Sequence, residues 1–103
     1  MPPATRTVVD RAVMLLRDAA RRGDAGEDFV TRAAEILSFH AELTPDDVAR
    51  ARKAEVWAAA ALHAAPFTMF PGFANPDRLM LEDAARCFGV SSQFVSIRSR
   101  PIR

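Results

Sequence analysis

Few residues in this 103-residue chain are of a type that does chemistry. Its histidines are His40 and His63, and its one cysteine is Cys87. Zinc needs three or four ligands converging at ~2.0–2.3 Å, and a helix usually supplies two of them at i and i+4. His40-Ala41-Glu42 instead puts a base and a carboxylate two apart, on roughly opposite sides of a helix. There is no HExxH, no CxxC and no spaced histidine pair. A set of His40, His63, Glu55 and Cys87 has no spacing to recommend it, so neither metal nor cofactor is expected. Ser91-Ser92 lacks a partnered base and reads as a helix cap. No glycine-rich loop is present to cradle phosphate. Catalysis is therefore not expected, and contact chemistry near the C-terminus remains. Gln93 can make paired hydrogen bonds to adenine, and Ser92 and Ser96 can reach bases or phosphates. Arg98, Arg100 and Arg103 can neutralise backbone phosphates. The same side chains would equally suit the surface of an ordinary helical hairpin.

The element that must position them is Leu81–Arg100, LEDAARCFGVSSQFVSIRSR. It reads as a short helix, a glycine turn and a second short helix. Ala84, Ala85 and Phe88 face inward from the first helix. Gly89 supplies the left-handed backbone that ends it. Val90 plugs the turn, Ser91 or Ser92 caps the next helix, and Phe94 and Val95 pack back on the first. This is helix-turn-helix spacing, in which the second helix often enters the DNA major groove. One position departs from the pattern: Arg98 stands where a core aliphatic is usual, and Ile97 is shifted by one.

Composition bounds the class. Half of the chain is hydrophobic and the formal net charge is +1, which argues against a strongly electrostatic role for the whole molecule. From Arg78 onward five arginines stand against two carboxylates, a mild basic tail. One cysteine excludes an internal disulfide. With no signal peptide read at the start, a reducing cytoplasm is the expectation. No run of ~18 apolar residues suggests a membrane span. Richness in alanine and arginine, with Lys53 the one lysine, gives the impression of a bacterial or phage genome.

Along the chain, Met1–Thr5 with its two prolines reads as a frayed tail. An apolar stripe of Val9, Ala12, Val13, Leu16 and Ala19 predicts a helix from Thr7 to Arg22, stopped by Gly23. A second helix is expected from Glu27 to His40, burying Phe29, Val30, Ala33, Ile36 and Leu37. Thr44-Pro45-Asp46-Asp47 is the clearest start signal: Thr44 caps, Pro45 takes the first helical position and Asp47 completes a capping box. That helix should run to Ala64, before Pro66, with an apolar Val56–Ala65 half as the central buried helix. Phe67–Asn75 is read as a connector whose aromatics either fold under the helices or form a partner surface.

FGVSSQFVSIR (Phe88–Arg98) resembles the C-terminal segment of ImmA/IrrE-type proteins, zinc metallopeptidases and their relatives associated with mobile-element or stress regulators. KAEVWAAAAL (Lys53–Leu62) resembles the family's preceding helix, with Trp57 at its aromatic position. The likeness spans Lys53 to Ile102. Lys53 falls where the family's third zinc ligand, a glutamate, would stand, and the HExxH is missing. The resemblance thus implies a fold remnant with a regulatory or binding use rather than a protease.

The expectation is an all-α chain forming one domain over residues 1–103. It has about five helices and a helix-turn-helix-like hairpin at residues 78–100. Its expected role is a non-catalytic binding protein, an accessory of transcription regulation. It would touch DNA or a regulator protein through Ser92, Gln93, Ser96, Arg98 and Arg100. The alternatives are a degenerate or partner-completed metallopeptidase, and a homodimeric interaction module using Phe67, Phe70, Phe73 and Trp57.

Overall fold

A computed structural model describes residues 1–50, 53–70 and 78–102. These form six helices and no strand: α1 (Pro3–Arg21), α2 (Glu27–Leu43), α3 (Pro45–Arg50), α4 (Ala54–Met69), α5 (Arg78–Cys87) and α6 (Ser92–Ser99). The protein is all-α. Among the described residues no helix is long and apolar enough to cross a membrane.

Helix α1 starts at Pro3, with proline in its first turn, so Pro3–Thr5 are helix rather than tail. Proline is tolerated there because its missing N–H would have had no intrahelical partner. Thr5 is buried, and its hydroxyl donates to the Pro45 carbonyl at 2.9 Å, tying α1 to α3. Val9, Ala12, Leu16 and Ala19 form the expected inward stripe.

Gly23 and Gly89 close α1 and α5 in the same way, at φ of 78° and 68°. After α1, Gly23 N–H donates to the Ala20 carbonyl and Asp24 N–H to that of Ala19. After α5, Gly89 N–H donates to Arg86 and Val90 N–H to Ala85. This double bond around a left-handed residue satisfies terminal carbonyls that the helix itself leaves open.

The single helix expected from Thr44 to Ala64 is two. Helix α3 ends at Arg50 and α4 restarts at Ala54 with Lys53 as N-cap. The break lets the indole N–H of fully buried Trp57 donate to the Val48 carbonyl at 3.2 Å. That carbonyl lies in the last turn of α3. Helix α4 also runs on through Pro66 to Met69, so Phe67 and Met69 are helical rather than part of a connector. Pro71–Asn75 lie outside the described residues.

Helix α4 is the centre of the molecule. Val56–Ala61 and His63–Pro66 are all buried, as befits a helix that is apolar all round. Its alanines let α1, α2, α5 and α6 pack around it. The main core joins α1, α2, α3 and α4 through Leu16, Leu37, Val48 and Trp57. A smaller cluster of Ala59, Ala85 and Val95, edged by Leu81, Phe88 and Val90, attaches α5 and α6.

Candidate functional site

The buried side of α6 is Val95 and Ser99, followed by Ile102 just beyond its end. Ser99 Oγ donates to the Ser96 carbonyl and shares a hydrogen bond with His63 Nδ1 at 3.0 Å. That bond pins α6 to α4 from inside the core. Phe94, expected inward beside Val95, is instead 59% exposed, and Ile97 is 50% exposed. On a 3.6-residue helix, Phe94 lies about a quarter turn from Val95 and Ile97 lies nearly opposite it. The outer face of α6 is therefore Gln93, Phe94, Ile97 and Arg100, with half-buried Ser92 and Ser96 along one flank.

Arg98 does not belong to that face. Its Nη1 donates to Asp47 Oδ1 at 3.2 Å, and its guanidinium carbon lies 5.7 Å from the Trp57 ring centroid. The other oxygen of Asp47 accepts from His40 Nε2 at 3.1 Å, and the His40 ring lies 5.7 Å from the same indole. One carboxylate from α3 thus joins α2 to α6 across the tryptophan of α4. Asp47, expected to complete a capping box, is used for this instead. Thr44, expected to cap α3, donates through both N–H and hydroxyl to the His40 carbonyl and closes α2. Sequence reasoning missed this cluster because its members stand 7 and 51 residues apart. Arg98 at a position that favours an aliphatic was the one hint.

Of the proposed interface residues, Trp57 is 0% exposed and cannot meet a partner. Phe67 is half-buried and meets His63 edge-on at 5.9 Å. Phe70 is partly exposed, tilted against Phe29 at 6.3 Å. Phe73 lies outside the described residues.

A groove of about 170 Å³ opens between α4, α5 and the start of α2, walled by Phe29, Leu62, Pro66 and Ala84. His63 and Cys87 also line it. Burial first, then the Asp24 carboxylate, pushes the Cys87 thiol up, which disfavours a nucleophilic thiolate. Small-molecule sites usually run to ~300–1,000 Å³, well above this groove. Among the described residues no three His, Cys, Asp or Glu side chains are grouped to hold a metal ion. At the positions carrying the ImmA/IrrE likeness, Lys53 is exposed, Glu55 half-buried and Trp57 buried.

No family model, curated protein or solved structure matches this chain.

Proposed function

We propose that this chain is a non-catalytic accessory of transcription regulation whose outer α6 face contacts a regulator protein. One observation carries the reading: Phe94 and Ile97 stand out of α6 between Gln93 and Arg100. An apolar centre with a polar rim is the anatomy of a protein interface. A DNA-reading helix instead needs several cations aimed at phosphates. Here Arg98 is committed to Asp47, and Arg86 lies 3.4 Å from Asp83. That balance favours a protein over a nucleic acid.

Two measurements test it. In an electrophoretic shift with mixed-sequence duplex, no retardation is expected even at low salt. Retardation that fades as salt rises would replace the protein partner with DNA. In native cells, the wild-type chain should capture a stoichiometric regulator that F94A/I97A does not. Capture unaffected by that variant would overturn the assignment of α6.

A further inference from the structure

A second face of the molecule has the chemistry to receive the first. On the outer side of α2, Phe39 is 67% and Leu43 66% exposed. These are among the most exposed large apolar side chains of the fold, and one turn of helix separates them. Glu35 and Glu42 are exposed on the same side, at the i, i+4, i+7 spacing Glu35–Phe39–Glu42. The α6 face repeats that spacing as Gln93–Ile97–Arg100, with Phe94 alongside. One stripe is apolar with Glu35 and Glu42 at its rim and exposed Arg32 in line with Phe39. The other is apolar with an amide and a guanidinium at its rim. Glu35 is within 3.7 Å of Arg32, whereas Glu42 and Arg100 form no ion pair among the described residues.

We infer that the α2 face binds the α6 face of a second copy of this chain. The inference rests on the reading of α6 as a contact surface and adds a partner for it. Phe94 and Ile97 would pack on Phe39 and Leu43, with Arg100 against Glu42. Charge favours this pairing at one point, where Glu42 of one copy meets Arg100 of the other. Joining α2 to α6 is heterologous, and such contacts build closed rings or open chains rather than two-fold dimers.

Light scattering coupled to size exclusion, at low salt and rising concentration, tests this. The wild-type mass should climb above one protomer as concentration rises. F39A/L43A and F94A/I97A should each stay monomeric, their association weakened about tenfold or more. All four side chains are exposed, so circular dichroism should show both variants folded. Mixed together, the two variants should form a species of two protomers, because each supplies the face the other lacks. E42R and R100E should each weaken association, and E42R/R100E in one chain should restore it. A wild type that is monomeric throughout, or mixed variants that stay apart, would overturn the inference. The reading of α6 would survive that failure if regulator capture is lost with F94A/I97A and kept with F39A/L43A. If F94A/I97A changes neither assay, both fall.

Discussion

The ion pair between Asp47 and Arg98 assigns Arg98 to the fold, and a double-mutant cycle measures that assignment. The oxygen and nitrogen are 3.2 Å apart, and both side chains are about one-third exposed (33% and 34%). At an effective dielectric near 20, the gross attraction of such a pair is about 4 kcal/mol. Desolvating the two groups and fixing their side chains offsets most of it, leaving a coupling of about 1 kcal/mol. Asp47→Ala should cost about 2 kcal/mol, because it also strips His40 Nε2 of its acceptor. Arg98→Ala should cost about 1.5 kcal/mol, because it also removes the cation over Trp57. The double variant should lose about 2.5 kcal/mol, about 1 less than the two single effects combined. Urea unfolding followed by circular dichroism resolves this, and in a domain of this length each kcal/mol moves Tm by roughly 4–8 °C. The coupling should shrink as salt is raised. Additivity within about 0.3 kcal/mol would refute the pair and return Arg98 to the list of outward contacts.

Three further outcomes follow from single features. Thr5→Val keeps the shape of the side chain but removes the donor to the Pro45 carbonyl, and should cost about 1 kcal/mol in a thermal melt. An unchanged Tm would mean that the first turn of α1 is frayed. Gly89→Ala should cost about 1 kcal/mol from its φ of 68° alone, since an added Cβ meets nothing within 4 Å. A loss much larger than this would mean that side chains close around the turn and crowd the added methyl. Because the Cys87 thiol is pushed up in the folded state, the chain should lose stability as pH rises through the thiol range, from about 8 upward. Cys87→Ala should flatten that decline, and two identical pH profiles would count against the burial of the thiol.

Where helices begin and end was written largely in short stretches of chain. Glu27 opens α2 as its acidic first turn suggests, and Gly23 and Gly89 close α1 and α5 because an αL residue is costly for most other side chains. The inward stripe of α1 and the central place of α4 also follow from periodicity, since a helix buries whichever face is apolar. Prolines misled at both ends of the chain's apolar core. Pro2 and Pro3 lie where a helix start tolerates them. Pro66 is carried inside α4 by buried neighbours on either side.

Local order alone could therefore establish an all-helical chain with its caps and its buried helix, because those depend on interactions a few residues in range. It could not say that Phe94 would meet solvent beside buried Val95, or that Arg98 would be drawn onto Trp57. That was decided when Asp47 drew Arg98 and His40 onto Trp57, and His63 drew Ser99 into the core. Those bonds rotate α6 so that Phe94 and Ile97 are turned outward. Partners separated by as many as 51 residues leave no periodic trace, so the surface available to a partner emerges only once the helices are packed.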